Sequence, residues 1–124
     1  MIATNRQPSL WLAPGVYMAK LTEQKLITSF CNITEISLEE LRSKSRKKEI
    51  RQARQVLMRL IKFNFPELSL KKIGYIFKHD HATVLHSIRV IQNMIETDKE
   101  FKNYYHGIAN RIGNMNMLHK PLLR

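Results

Sequence analysis

At 124 residues, the chain is long enough for one compact domain and too short for two ordinary ones. Hydrophobic residues make up 44% of it, which excludes wholesale disorder, and no apolar run approaches the roughly 18 residues that cross a membrane. Twenty-one Lys and Arg against ten Asp and Glu give a formal charge of +11, so a polyanion is the expected partner. Residues 1–14 lack the charged start and long apolar block of a secretory signal. The single cysteine, Cys31, excludes an internal disulfide and reads as a small buried apolar group. These features predict a cytoplasmic protein, nucleoid-associated if the polyanion is DNA.

Residues 1–15 hold Pro8, Pro14 and Trp11 with no steady period and read as an N-terminal extension. A helix is expected over 16–30, with Leu26, Ile27 and Phe30 inward. Ser37-Leu38-Glu39-Glu40 has the pattern of a capping box and opens a short helix ending near Ser43. Lys44 to Lys48 (KSRKK) then forms a basic connector. Over 49–63, Ile50, Ala53, Leu57, Leu60 and Ile61 share one helical side, while Arg51, Gln55, Arg59 and Lys62 share the other. Pro66 prevents continuation. Ser69 can cap a helix over 69–77 that turns Leu70, Ile73 and Phe77 inward. After a turn at Lys78-His79, Asp80 can cap a helix to about 96 with Val84, Ile88, Ile91 and Ile95 inward. A last helix opens at Thr97-Asp98 and repeats Phe101, Tyr104, Tyr105, Ile108 and Ile112 before Gly113. The expected fold is all-α, about six helices over 16–113, with a tail over 114–124 and no strand alternation.

The charge is not evenly spread. From Arg42 to Lys62 there are nine basic residues against the single acid Glu49, a surplus of eight. Such a cluster releases the counterions condensed on nucleic acid, although a charge run alone is equally a solvated face. The two helices flanking Lys78-His79 are joined closely enough to form a helix-turn-helix, whose second helix enters the major groove by its N-terminal end. That end carries Asp80, His81, Ala82 and Thr83, with His86 and Arg89 further along its outward face. Asp80 can accept from a cytosine amino group, and the methyls of Ala82 or Thr83 can meet a thymine methyl. The plain alternative for Asp80 is a helix cap.

The stretch Ile73-Gly74-Tyr75-Ile76-Phe77-Lys78-His79-Asp80-His81-Ala82-Thr83-Val84-Leu85-His86 resembles the signature of the C-terminal DNA-binding domain of the bacterial replication initiator DnaA. That signature runs Ile-Gly, two residues, Phe, Gly-Gly-Arg-Asp-His, a small residue, then Thr-Val. Upstream, the basic stretch 41–48 and Ala53-Arg54-Gln55 resemble the family's basic loop and the helix behind it. The resemblance implies a domain of the DnaA C-terminal, Trp-repressor-like kind that binds double-stranded DNA at DnaA-box-like sites. It implies that Arg46, with Lys44, Lys47 and Lys48 around it, enters the minor groove beside A·T pairs. Arg54 and Gln55 would hold phosphates, and Asp80, His81 and Thr83 would read base edges. Lys78 and His79 stand where the family usually has Gly and Arg, and Ala82 where a hydroxyl is common, so the preferred bases are expected to differ at one or two positions.

None of the four glycines, Gly15, Gly74, Gly107 and Gly113, lies in a phosphate loop ending in Lys-Ser or Lys-Thr, so no nucleotide and no other cofactor is expected. No nucleophile-base pair or carboxylate dyad stands at a catalytic spacing, so no enzyme and no catalytic residue is expected. His79, His81 and His86 lack the further ligands of a zinc site, so no metal is expected either. Phe101, Tyr104 and Tyr105 fall on an apolar helix side and read as core. The chain is therefore expected to act as an accessory replication factor or regulator lacking the ATPase module. A full-length initiator or another replication protein is the candidate protein partner. The competing class is a protein-interaction module on a helix-turn-helix scaffold with weak DNA affinity.

Overall fold

Capping chemistry sets where most of the helices begin. The structure, a computed structural model, describes residues 16–18 and 21–119. Pro8, Trp11 and Pro14 of the expected extension, and the tail past His119, lie outside the described residues. Helix α1 (Glu23–Thr34) starts at Thr22, whose hydroxyl accepts from the Lys25 amide at 3.1 Å. Helix α2 (Leu38–Arg42) carries the capping box in full: the Ser37 hydroxyl accepts from the Glu40 amide, and the Glu40 carboxylate accepts from the Ser37 amide, both at 3.1 Å. Helix α3 (Lys48–Asn64) has no side-chain cap. Helices α4 (Leu70–Phe77), α5 (His81–Thr97) and α6 (Lys99–Met115) start at Ser69, Asp80 and Asp98, each accepting from an amide of its own first turn.

The fold is all-helical, with six helices among the described residues. It also has a short antiparallel ribbon that the sequence pattern does not reveal. Strand β1 (Val16–Met18) pairs with β2 (Met117–His119), with Tyr17 opposite Leu118. Three residues are too few to show a two-residue alternation, so the pattern assigns them to the first helix. That helix instead starts at its Thr22 cap. The last helix passes through Gly113, which costs a helix only about 1 kcal/mol, and stops at Met115.

Helix α3 runs through the middle of the bundle, against α1, α2, α4 and most extensively α5. It buries Val56 and Met58 as well as Ile50, Ala53, Leu57, Leu60 and Ile61, so its apolar surface is wider than the single stripe expected. Around it close Leu26 and Phe30 from α1, Leu41 from α2, Ile73 and Phe77 from α4, and Val84 and Ile91 from α5. Phe101, Tyr105, Ile108 and Ile112 complete the core from α6. Ile27, Leu70, Ile88, Ile95 and Cys31 are only partly buried, and Tyr104 is 48% exposed rather than core.

Arg59, expected on the solvated side of α3, instead joins three helices. Its Nε donates to the Gln92 side-chain oxygen at 2.9 Å and its Nη1 to the Tyr105 hydroxyl at 2.7 Å. The guanidinium also lies 5.0 Å from the Tyr105 ring centre and 5.3 Å from that of Phe63. Among the described residues, no helix is long and apolar enough to cross a membrane, and no three His, Cys, Asp or Glu gather as metal ligands.

Candidate nucleic-acid interface

Helices α4 and α5 form the helix-turn-helix, with only Lys78, His79 and Asp80 between them. Lys78 ends α4 in the left-handed region at φ 61. The His79 amide then donates to the Gly74 carbonyl at 2.9 Å, folding the turn back on its helix. A left-handed backbone costs an L-residue roughly 1–2 kcal/mol, which gives a physical reason for the glycine that the signature usually has after Phe.

At the start of α5, the Asp80 carboxylate accepts from the Thr83 amide at 2.8 Å. This hydrogen bond holds its pKa below the usual carboxylate value. The capping role is therefore occupied, through Oδ1. Asp80, His81, Ala82 and Thr83 are all exposed, as are His86 and Arg89. His79 is half-buried in the turn.

The basic connector stands beside this turn. Lys44, Arg46, Lys47 and Lys48 are exposed, and Lys78 is exposed at the end of α4. Burial lowers the His79 pKa, and the positive charges of Arg54 and Lys44 push it down further, against the opposing pull of Asp80. Arg42, which leads into the connector, donates to the Ile76 carbonyl of α4 at 2.6 Å, and this bond sets the connector beside the turn. Gln55 is half-buried on α3. Arg54 differs from the rest. It is 8% exposed, and it donates from Nε to the Leu41 carbonyl at 2.6 Å and from Nη2 to the Ser43 carbonyl at 3.0 Å. Burial lowers its pKa, and the nearby charge of Arg51 lowers it further.

Residues 24–91 match the family described as bacterial dnaA protein helix-turn-helix, which is more than half of the chain. The chain belongs to the bacterial DnaA helix-turn-helix family. It is 43% identical over 74 residues to the chromosomal replication initiator protein DnaA of Pseudothermotoga lettingae, covering 60% of this chain and 16% of that protein. With DnaA of Flavobacterium psychrophilum the identity is 38% over 90 residues, 72% of this chain and 18% of the relative. With DnaA of Gloeobacter violaceus it is 33% over 102 residues, 82% of this chain and 23% of the relative. The chain thus spans less than a quarter of the length of these relatives. Membership in the DnaA helix-turn-helix family supports DNA binding.

Sequence reasoning missed the residues that shape this DnaA-type surface from behind. Arg42 Nε donates to the Ile76 carbonyl at 2.6 Å, joining α2 to α4. Ser43 and Ser45 brace the connector through their hydroxyls. The nearest signal was the number of Ser residues in a basic loop, since such hydroxyls favour turns that bond the local backbone.

His79 carries a prediction about stability. Its folded pKa lies below the ordinary 6.5, so as pH falls the unfolded chain takes up this proton first. Stability therefore rises with pH across the window just below 6.5 and is unaffected by this group above it. Thermal melts on either side of pH 6.5 should show His79→Gln losing less stability on acidification than the parent. Equal losses would place the titration elsewhere.

Proposed function

We propose that this chain binds double-stranded DNA sequence-specifically at sites of the DnaA-box kind. Helix α5 would enter the major groove by its N-terminal end, with the basic connector along an adjoining minor groove. The observation that carries the reading is the exposed first turn of α5 beside a connector that presents Lys44, Arg46, Lys47 and Lys48 to solvent. In this reading Asp80, His81 and Thr83 read base edges, Ala82 packs on a thymine methyl, and Arg46 enters the minor groove. Lys44, Lys47, Lys48, Gln55 and Lys78 hold phosphates, and His79 shapes the turn. In this reading the chain acts as an accessory replication factor or regulator, in competition or partnership with a full-length initiator. The domain division proposed with this is an extension over 1–15, a DNA-binding unit over 16–113 and a tail over 114–124.

Selection of bound sequences from random duplex DNA tests the reading, with Asp80→Asn as the informative variant. Asn caps a helix about as well as Asp but offers an amide where the carboxylate stood. The melting temperature should stay nearly unchanged while preference shifts at one base position, by roughly 1–3 kcal/mol of discrimination. His81→Ala should weaken specific binding with as little effect on folding. If both variants melt normally and select the parental sequence with parental preference, α5 reads no bases, and the protein-interaction reading takes its place.

A further inference from the structure

The connector between α2 and α3 carries Arg46 but belongs to no helix or strand. A relay of hydroxyls gives it shape. The Ser43 hydroxyl donates to the Glu40 carbonyl at 2.6 Å, the Ser45 amide donates to the Ser43 hydroxyl at 3.2 Å, and the Lys47 amide donates to the Ser45 hydroxyl at 3.2 Å. Arg54 closes this relay from α3. Its two carbonyl acceptors, on Leu41 and Ser43, lie where α2 gives way to the connector. From that same junction, Arg42 bonds the Ile76 carbonyl near the end of α4.

We propose that Arg54 is a positioning residue: it sets where the basic connector stands relative to the helix-turn-helix, and so what Arg46 can reach. The proposal rests on the DNA-binding reading above. A residue whose task is to neutralise phosphate presents its charge to solvent, as Lys47 and Lys48 do. Arg54 instead holds its guanidinium 8% exposed and spends Nε and Nη2 on backbone carbonyls. Charged donors on carbonyls make strong bonds, and the rigid fork of a guanidinium fixes two acceptors relative to each other. Lysine carries the same charge on one flexible nitrogen and cannot reproduce that fork. Fixing the connector before DNA arrives lowers the ordering cost of the contact it makes. Arg54 would therefore govern discrimination at the A·T end of the site and not merely affinity.

Arg54→Lys keeps the charge and removes the fork. In the free protein, hydrogen exchange at the Ser45 and Lys47 amides should speed up. Preference for the selected site over a version altered at its A·T end should fall roughly tenfold, within the range of a single specific contact. The salt dependence of binding should stay as in the parent. Adding Arg54→Lys to Arg46→Ala should bring no further fall in preference, because Arg54 acts on discrimination through Arg46. Unchanged preference in Arg54→Lys, or effects that add independently, would overturn the proposal and return Arg54 to the phosphate contacts. Should Arg54→Lys fold poorly, Ser43→Ala with Ser45→Ala loosens the same connector without touching α3. That pair should reproduce the fast exchange and the reduced preference, and normal values of both would overturn the proposal equally. A parent protein that selects no site removes the DNA-binding reading and this role together. Normal exchange at Ser45 and Lys47, in a protein that does select a site, removes only the role of Arg54.

Discussion

Raising salt fourfold, from low to near-physiological ionic strength, should weaken duplex binding by roughly 500-fold, if about five phosphates are neutralised at a log-log slope of about 0.9 each. The sequence supplies the charge, and the structure supplies its exposure. Lys44, Arg46, Lys47, Lys48 and Lys78 are all solvent-facing around the turn and connector, so their counterion exchange is available to a polyanion. Arg59, although basic, is committed to Gln92 and Tyr105, and Lys62 Nζ donates to the Pro66 and Leu68 carbonyls. These two should add little to the slope. Titration of a labelled duplex at several salt concentrations measures it directly. Replacing Lys47 and Lys48 with Ala should flatten the slope by up to about 0.9 for each phosphate no longer neutralised, on specific and random duplexes alike. A slope near zero for the parent would end the DNA assignment.

Gly74→Ala should be among the most damaging single-methyl changes in the protein, while Gly107→Ala should be harmless or favourable. Both glycines lie inside helices, where Ala is preferred by about 1 kcal/mol. Space decides the difference. A Cβ on Gly107 meets nothing within 4 Å. A Cβ on Gly74 would collide with the His79 carbonyl oxygen and stand 3.3 Å from Val84 Cγ2. The oxygen belongs to the backbone of the turn, so the turn must open. Opening it threatens the bond from the His79 amide to the Gly74 carbonyl, worth about 1 kcal/mol, and adds an overpacking cost of roughly 1–3 kcal/mol. The helix gain is outweighed by about 2 kcal/mol, which lowers the melting temperature of a domain this size by roughly 8–16 °C. Site-specific binding should fall with it, because the turn aims the first residues of α5. Calorimetric melts of both variants provide the comparison. A Gly74→Ala protein as stable as Gly107→Ala would show that the turn yields without cost.

How far the sequence reaches differs from element to element. Capping residues were legible because they act locally: Ser37 with Glu40, and Ser69, Asp80 and Asp98 with amides of the following turn, lie within three residues of their partners. Core residues such as Phe30, Phe77 and Ile91 were legible through helical period. The two motifs that resemble the family's were legible through residue order, and the family match over 24–91 spans both. The ribbon joining residues 16–18 to residues 117–119 was not legible, since each strand is too short to carry a period and its partner is far along the chain. The width of the buried face of α3 was also hidden. A helix enclosed by four others buries Val56 and Met58 on sides that a one-stripe pattern assigns elsewhere.

Charge shows the same division most sharply. Composition counts Arg46, Arg54 and Arg59 as three equal cations, because a sequence records ionisable groups and not their acceptors. By itself it determined the all-helical class, the helix-turn-helix and the clustering of basic residues between Arg42 and Lys62. Only the tertiary structure decided that Arg46 faces solvent, that Arg54 is buried on the carbonyls of Leu41 and Ser43, and that Arg59 bridges α3 to α5 and α6. The physical reason is distance along the chain: Arg59 finds Tyr105 46 residues away, and no local period or propensity reports a partner that folding alone brings near.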